Sequence, residues 1–451
     1  MKGINDIRQI VENDLCVRCG TCASICPVDL ITFNERYYPV VGQECTECGL
    51  CLEVCPVHDL NIPLLYEQVL GAKHIDNPVG VCNGVYVGYS TVPEIREKAS
   101  SGGVVTQILL SLLSSGDIDG AIVATADPNV PWRSKAILAT TAEEIIKSVG
   151  SRYTIIPVNE RLKELRKFPG RIALVGLPCQ VQSFRMWESI DSQMGEKVAV
   201  VIGLFCNRNL EMEATTGLVR CKKINVSEIS ALEYRGGTWP GGIRVKLKNG
   251  SYRELHRFGT KDGAYNHLYR IHYAENCLNC IDFCAELADI SIGDPWIRGA
   301  DGDYMFKENW SLVLTRTKRG KEIMCELEKA KKIVLEEIPE SLFYMNFSPA
   351  AKSKKKLAFY RIKRLMEKDK PYPNYHIEIP KFTWKELMYE YLKRLSLQLS
   401  KNNTMKNIYM NFAFSKLGER LTQIKIAYKK YRYRIANSRY YSKRYLSRKQ
   451  K

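Results

Sequence analysis

The amino-acid sequence predicts an α+β (mixed α/β) protein in three parts: a small cysteine-rich domain, a larger α/β domain and a basic, mainly helical tail. Three observations support this class. A duplicated cysteine pattern fills residues 16–56, β-branched apolar runs alternate with helix-like runs over 85–340, and cations dominate 381–451. The expected domain ranges are 1–75, 76–345 and 346–451.

The N-terminal domain is defined by two copies of the pattern C-x2-C-x2-C-x3-C-P, at 16–27 and 45–56. This spacing wraps a short loop around an iron-sulfur cubane, and the fourth cysteine reaches the other cluster. The segment resembles bacterial two-cluster ferredoxins, which implies two [4Fe-4S] clusters. Zinc sites also use C-x2-C pairs, but they rarely repeat a run ending in Cys-Pro. The expected ligands are Cys16, Cys19, Cys22 and Cys55 for one cluster, and Cys45, Cys48, Cys51 and Cys26 for the other.

The cysteine usage and the apolar runs predict a cytoplasmic location. Cluster ligands must be thiolates, which a reducing compartment preserves. The first residues have no apolar stretch of the signal-peptide type. The longest apolar runs, such as 198–206, fall short of the roughly 20 residues that span a bilayer.

The large domain alternates helix-like and strand-like segments. Gly102-Gly103 precede an apolar run that predicts a buried helix, and 141–144 has the form of a capping box. Asn249-Gly250 between two β-type runs predicts a hairpin. The other predicted segments are strands at 121–125, 172–175, 198–205, 311–315 and 333–335, and a helix at 321–330.

Eight further cysteines follow the ferredoxin-like segment. Cys179 occupies a strand-to-helix turn, Cys206 ends an apolar strand, and Cys277 and Cys280 form a C-x2-C pair. Strand ends are where α/β folds present ligands, so such cysteines can close around a third cluster. We interpret three others as small buried side chains: Cys82, Cys221 and Cys325.

Several runs in this region carry a family resemblance. They lie at 100–106, 149–153, 176–180, 234–241 and 289–296. In this order they resemble the beta-subunit family of the coenzyme F-420 hydrogenases and dehydrogenases, over about residues 80–340. The resemblance implies an iron-sulfur flavoprotein that carries FAD. It also implies transfer of electron pairs between clusters and a hydride-accepting substrate.

The resemblance assigns ligands of a third [4Fe-4S] cluster to Cys179, Cys206, Cys277 and Cys280. Cys284 extends the pair to C-x2-C-x3-C, so the fourth ligand is either Cys206 or Cys284. The resemblance also points to a flavin site. Backbone N–H groups at a helix start suit a pyrophosphate, and the second loop adds a hydroxyl, a cation and an aromatic ring. The expected FAD contacts are Ser101, Gly102, Gly103, Gly150, Ser151, Arg152 and Tyr153.

Two charged side chains, Arg235 and Asp294, are candidates for orienting substrate or flavin, with a surface cation and a turn-capping carboxylate as the structural alternatives. The sequence has no G-x-G-x-x-G fingerprint, which argues against a Rossmann-type NAD domain.

The tail carries most of the chain's net charge of +18. Residues 381–451 contain 19 Lys/Arg and 3 Asp/Glu, a net of +16. A periodic segment at 384–399 places Trp384, Leu387 and Leu395 on one face, as in a basic amphipathic helix suited to an anionic membrane. Membrane or partner docking, a solvated helix with a disordered end, and nucleic-acid binding are the three interpretations. The last is disfavoured because no base-reading fold is apparent.

The sequence as a whole predicts an oxidoreductase that relays electrons through clusters to FAD and on, as hydride, to an organic acceptor. That acceptor is a deazaflavin coenzyme or an unknown substrate, such as one of a polysaccharide pathway. The expected donor is a redox protein, either a ferredoxin or a hydrogenase or dehydrogenase subunit. The alternatives are an electron-transfer subunit that feeds a partner enzyme and a non-catalytic component of a membrane-associated polysaccharide assembly.

Overall fold

The computed structural model describes residues 3–75, 77–237, 239–257, 268, 271–307, 309–399 and 401–444. Thr238 in one family run and the last seven residues of the tail therefore lie outside the described residues. The described part contains a two-stranded, a three-stranded and an eight-stranded sheet, together with helices throughout. The predicted mixed α/β class is confirmed.

The cysteine-rich segment folds into short helices and an antiparallel strand pair, and it packs on the large domain through buried polar contacts. Asn159 Nδ2 donates a 2.9 Å hydrogen bond to Thr21 Oγ1. The Arg18 guanidinium, which is 1% exposed, lies 2.6 Å from a Glu211 carboxylate oxygen. The elements are α1 Ile7–Glu12, α2 Thr21–Ile25, β1 Ile31–Phe33, β2 Pro39–Val41, α3 Leu50–Glu53 and α4 Ile62–Leu70.

The large domain contains most of the predicted strands and helices in the predicted order. The capping box is confirmed, because Thr141 and Glu144 bond reciprocally at a helix start. The elements are β3 Gly84–Ser90, α5 Pro93–Lys98, α6 Val104–Ser115, β4 Gly120–Ala126, β5 Ser134–Ala139, α7 Ala142–Lys147, a 3-10 segment Val158–Arg166, β6 Ile172–Gly176, α8 Pro178–Ile190, α9 Ser192–Glu196, β7 Val198–Leu204, α10 Glu213–Cys221, a 3-10 turn Val226–Glu228, β8 Ile229–Gly236, β9 Gly242–Leu247, β10 Tyr252–Arg257, a 3-10 turn Glu275–Asn279, β11 Ile290–Gly293, β12 Ser311–Thr315, α11 Lys318–Lys329 and β13 Ile333–Glu337.

The eight-stranded sheet has the order β13-β3-β12-β11-β7-β6-β4-β5. Its centre is parallel, because β4 pairs with β6, β6 with β7, and β7 with β11 in that sense. Parallel strands are covered on both faces, which explains the continuous apolar run of the fully buried β6. The carboxyl ends of β6, β7 and β11 therefore meet at one edge of the sheet, where α/β folds bind ligands.

Two apolar cores flank this sheet. Successive side chains of β4 point to opposite faces, so Ile122 belongs to one core while Ala121 and Val123 belong to the other. The first core contains Phe184 of α8 and the second contains Leu109 of α6. The central strands are thus held between helices, and this arrangement fixes the positions of the loops that follow them.

The three-stranded sheet β8-β9-β10 confirms the predicted hairpin. Strands β9 and β10 pair antiparallel across Asn249-Gly250. Gly250 has φ = +84°, which L side chains rarely adopt, so glycine suits this turn. The sheet's inner face forms its own apolar core, with Leu232, Val245 and Leu255 among its buried members.

The tail begins with a long helix that is part of the large domain's core, so the predicted boundary at 345/346 falls inside a helix. Phe347 and Phe359 of this helix are buried. Further on, Met410 and Phe414 pack into the core of the three-stranded sheet. The tail helices are α12 Glu340–Met366, α13 Trp384–Leu399, α14 Asn403–Ala413 and α15 Lys416–Arg444.

A buried ion pair joins α13 to α12. Glu390 is fully buried, and its two carboxylate oxygens lie 2.6 and 2.7 Å from Arg361 nitrogens. Glu390→Ala leaves this guanidinium without its anion, so we expect a loss of about 3 kcal/mol in the free energy of unfolding and a lower Tm. Scanning calorimetry of the full chain measures it. Glu143→Ala breaks the exposed pair with Lys147 and should leave Tm nearly unchanged. Equal effects of the two variants would contradict this prediction.

Candidate functional site

The first thiol group lies where the ferredoxin-like segment meets the large domain. Cys16, Cys19, Cys22 and Cys55 are all buried. Burial raises the pKa of the Cys22 thiol well above its usual range, and the neighbouring Cys19, Cys16 and Cys55 thiols raise it further. Burial likewise raises the pKa of Cys55, with Cys19 as its strongest thiol neighbour. The structure therefore brings the last cysteine of the second motif beside the first three of the first motif.

The second thiol group lies nearer the surface. Cys48 is exposed, and Cys45 and Cys51 are partly exposed. Burial raises the pKa of the Cys51 thiol to about 11, and among the neighbouring thiols Cys48 raises it most, with Cys45 also contributing. Cys26 packs in the same apolar cluster as Cys51, and its carbonyl accepts a 2.7 Å hydrogen bond from Arg166.

The third thiol group forms at the carboxyl edge of the parallel strands. Cys179 is the second residue of α8, directly after β6, and Cys206 follows β7. Burial raises the pKa of the Cys179 thiol well above its usual range, and the thiols that add to this effect are Cys19, Cys280, Cys277 and Cys206. Cys179 thus lies between Cys19 of the first group and its own three predicted partners.

Cys284 lies in a different environment from these thiols. It is fully buried in a separate apolar cluster, and its carbonyl accepts a 3.3 Å hydrogen bond from Arg316. Burial raises the pKa of its thiol, and the charged groups that act on it include Arg316, Asp282 and Glu286. In contrast, Cys277 and Cys280 both act on Cys206. This geometry favours Cys206 over Cys284 as the fourth member of the group.

The three thiol groups consist of cysteines that act on one another electrostatically. Among the described residues, no three Cys, His, Asp or Glu side chains converge on a position for a single metal ion. A [4Fe-4S] cluster takes one thiolate at each of four separate irons, so its ligands do not converge on one point. The three groups could hold clusters because each brings several thiols into mutual electrostatic contact within a small region.

Lys354 of α12 places a buried cation beside the third group. Its Nζ donates hydrogen bonds of 2.8 Å to the Cys206 carbonyl and 2.5 Å to the Asp282 carbonyl. Burial disfavours the charge, but the Cys280 and Cys206 thiolates outweigh it and hold the pKa of Lys354 above its ordinary value. Sequence reasoning misses this residue because it lies in a lysine-rich run that resembles the rest of the tail.

A cavity of about 410 Å³ opens at the same edge of the sheet, and Cys206 lines it. Its volume lies within the range of small-molecule sites. Gly102 is not part of the lining, and its N–H donates a 2.9 Å hydrogen bond to Ser311 Oγ, so it is already bonded within the protein. The predicted flavin contacts that line the cavity are Ser101, Gly103, Gly150, Ser151, Arg152 and Tyr153.

Arg235 and Asp294, the two charged side chains predicted to orient substrate or flavin, also line this cavity. Arg235 Nη1 lies 2.9 Å from Asp294 Oδ2, and Arg235 Nη2 donates a 3.0 Å hydrogen bond to the Ser100 carbonyl. Burial opposes the charge of Arg235, but Asp294 more than offsets it and raises the pKa above its ordinary value. Arg235 is thus committed to protein groups, and it joins the 100–103 loop to Asp294, which follows β11.

Arg152 differs from Arg235 because its guanidinium is only partly satisfied. Its Nη1 donates a 3.2 Å hydrogen bond to the Ser151 carbonyl, whereas its buried Nε has no hydrogen-bond partner among the described residues. Burial lowers the pKa of Arg152. The amino end of α6, at Gly103, lines the same cavity and presents backbone N–H groups that the helix leaves unpaired. An unsatisfied cation and a helix amino end together fit an anionic group such as a pyrophosphate.

The cavity contains one further cation that the sequence did not single out. Arg208 follows Cys206 by two residues and lines the cavity. Burial lowers its pKa, as does the neighbouring Arg361. Its position just after a predicted strand end could have indicated that Arg208 belongs to the site, but charged residues are common in such loops.

Three family models match this chain. The coenzyme F420 hydrogenase/dehydrogenase beta subunit N-terminal model matches residues 85–163, and the corresponding C-terminal model matches 170–341. A 4Fe-4S dicluster domain model matches residues 9–62. These matches cover the ferredoxin-like segment and the large domain up to the first turn of α12.

Individual proteins agree with the models. One subunit of the F(420)H(2) dehydrogenase of Methanosarcina mazei is 30% identical over 341 residues, which cover 70% of this chain and 83% of that protein. The coenzyme F420-dependent sulfite reductase of Methanocaldococcus jannaschii is 28% identical over 74% of this chain, but the chain spans only 49% of its length.

A solved structure shows the same fold. A chain of the F420-reducing [NiFe] hydrogenase complex from Methanosarcina barkeri superposes with a TM-score of 0.54 and 26% identity, covering 67% of this chain and 99% of that one. These relatives are oxidoreductases or their subunits. This chain belongs to the coenzyme F420 hydrogenase/dehydrogenase beta-subunit family and carries a 4Fe-4S dicluster domain at its N-terminal end.

Proposed function

We propose that this protein is an iron-sulfur flavoprotein oxidoreductase that carries electrons between a protein donor and an organic acceptor. The observation that carries the proposal is the position of the third thiol group between the ferredoxin-like segment and the cavity. Cys179 of this group neighbours Cys19 of the first group, and Cys206 lines the cavity. The exposed Cys48 lies in the group nearest the surface, where a redox protein can approach.

The cavity residues would hold FAD. Arg152 and the amino end of α6 offer charge and N–H groups to the pyrophosphate, and Trp296 in the lining offers an aromatic face. A bound flavin supplies exchange between single electrons and hydride. The role of Arg235 and Asp294 in this proposal is to keep the 100–103 loop and the end of β11 in fixed relative positions.

The acceptor in this proposal is a deazaflavin coenzyme or another small molecule, such as one of a polysaccharide pathway. The named relatives use coenzyme F420, which supports the former. An electron-transfer subunit that feeds a partner enzyme is the second candidate function. It is favoured by the occurrence of relatives as subunits of dehydrogenase and hydrogenase complexes. An acceptor screen on the purified chain separates the two, because a subunit without its own substrate reduces only artificial dyes.

Cofactor analysis of anaerobically purified protein tests the proposal directly. We expect about twelve irons per chain, four for each of three clusters, and one FAD. The irons are measured by colorimetric assay and the flavin by fluorescence after acid release. About eight irons with a full complement of flavin would contradict the third cluster. Protein with all its iron but without flavin would contradict the FAD site.

Single cysteine variants distinguish the ligands of the third cluster. Cys280→Ser should lose about four irons, because removal of one thiolate opens the cubane. Cys284→Ala should retain them, since its thiol lies in the apolar cluster near Arg316. Cys325→Ser on α11 is the control and should also retain them. Iron content per chain is the measurement. Cys206→Ser should lose about four irons as well. Loss of iron in Cys284→Ala but not in Cys206→Ser would reverse the assignment.

Lys354 should tune the reduction potential of the third cluster. A buried ammonium near the thiolates stabilises the more negative, reduced state, so Lys354→Met should shift that midpoint potential to more negative values. A redox titration followed by electron paramagnetic resonance measures the shift. Lys355→Met is the matched control, because Lys355 Nζ instead lies 3.2 Å from Glu286. An unchanged potential in Lys354→Met with full iron content, or an equal shift in both variants, would contradict this role.

A further inference from the structure

Helix α15 presents an exposed apolar stripe along one of its faces. Every third or fourth side chain on this face is large and apolar, and these side chains are between 47% and 65% exposed. The spacing alternates between four and three residues, which keeps them on one side of a helix. The stripe consists of Leu417, Leu421, Ile424, Tyr428 and Tyr431.

The opposite face of α15 is held against the large domain, so the orientation of the stripe is fixed. Lys430 Nζ lies 2.6 Å from Asp303 Oδ2, and Tyr433 Oη donates a 3.1 Å hydrogen bond to Asn346 Oδ1. Gly418 is in close contact with the Phe412 carbonyl of α14, where a Cβ atom would not fit, so the start of α15 is also held against the preceding helix. The stripe therefore faces away from the protein.

Cations flank the stripe on both sides. Over residues 416–436 the helix has seven Lys/Arg and one Asp/Glu. Arg420, Lys425 and Arg432 are among the exposed members. A second copy of the same stripe would bring like charges together along both flanks, which disfavours self-pairing through this face. The occupant of this surface must be apolar at its centre and anionic at its edges.

We propose that the α15 stripe docks this protein on an anionic lipid bilayer surface. The two tyrosines favour a bilayer over an acidic helix, since a phenol buried in a helix-helix seam needs a partner, whereas at a bilayer the hydroxyl stays among the headgroups. Apolar side chains enter the acyl boundary while the flanking cations meet anionic headgroups. No described helix is long and apolar enough to cross a bilayer.

Vesicle flotation of the full-length protein tests this surface. The probes are vesicles of phosphatidylcholine alone and of phosphatidylcholine with phosphatidylglycerol, at low and high salt. We expect flotation with the anionic vesicles, little with the neutral ones, and weakening by salt. Two variants should each bind the anionic vesicles on the order of tenfold more weakly than the wild type. L421S/I424S/Y428S keeps the charge, and R420Q/K425Q/R432Q keeps the stripe.

The matched control is I146S/I190S, which removes exposed apolar side chains of the large domain and should float like the wild type. An unchanged visible absorption spectrum shows that each variant keeps its clusters, and flotation is read independently of any oxidoreductase activity. Equal flotation of the wild type and the stripe variant would overturn the proposal. A wild-type dimer in sedimentation that becomes a monomer in the stripe variant would overturn it as well. Binding to an acidic helical peptide but not to vesicles would have the same consequence.

Discussion

Parallel pairing at the centre of the large sheet is the constraint on which the site depends. Because β6, β7 and β11 run in the same direction, the residues that follow them meet at one edge. Cys179, Cys206 and Asp294 follow these three strands, although more than a hundred residues separate the first from the last. A one-residue slip of β7 would turn its side chains to the other core and move Cys206 away from Cys179.

Buried cations have different partners in the two parts of this sheet edge, the third thiol group and the cavity. Around the third thiol group, Lys354 supplies a cation whose hydrogen bonds to described residues go to the Cys206 and Asp282 carbonyls, and its charge acts on the thiolates. In the cavity, Arg235 is neutralised by Asp294, whereas Arg152 Nε has no hydrogen-bond partner in the part of the chain that the structure describes. An unsatisfied buried donor is unfavourable unless a ligand accepts from it. This contrast separates the structural arginine of the site from the one available to an anionic ligand.

Helix α12 links the large domain to the tail. It contributes Phe347 and Phe359 to the cores, Lys354 to the third thiol group, and Arg361 to the ion pair with α13. Arg361 also donates a hydrogen bond to the Leu278 carbonyl, between Cys277 and Cys280. The basic composition of this region therefore has two separate origins. Lys354, Lys355 and Arg361 of α12 bond to groups of the interior, whereas Arg420, Lys425 and Arg432 of α15 are exposed.

The features that depend on neighbouring residues could be predicted from the sequence alone. The capping box at Thr141 and the hairpin at Asn249-Gly250 form through contacts a few residues apart, and the cysteine spacing of the first 56 residues matches a cubane locally. Strand and helix types in the large domain followed from periodicity in the same way. The sequence could not distinguish Gly102 from Gly103 as a flavin contact, because residue spacing does not show which backbone N–H is already hydrogen-bonded within the protein.

Tertiary structure decided what depends on distant segments. The sequence leaves Cys206 or Cys284 as the fourth ligand, whereas in the folded chain Cys277 and Cys280 act on Cys206 and the Cys284 carbonyl is bonded to Arg316. Lys354 is a second example. Its lysine-rich sequence context indicates solvent exposure, but the packing of α12 into the core buries it. The physical reason is that burial and charge compensation are properties of the folded assembly of segments, whereas spacing and turn chemistry are properties of the chain itself.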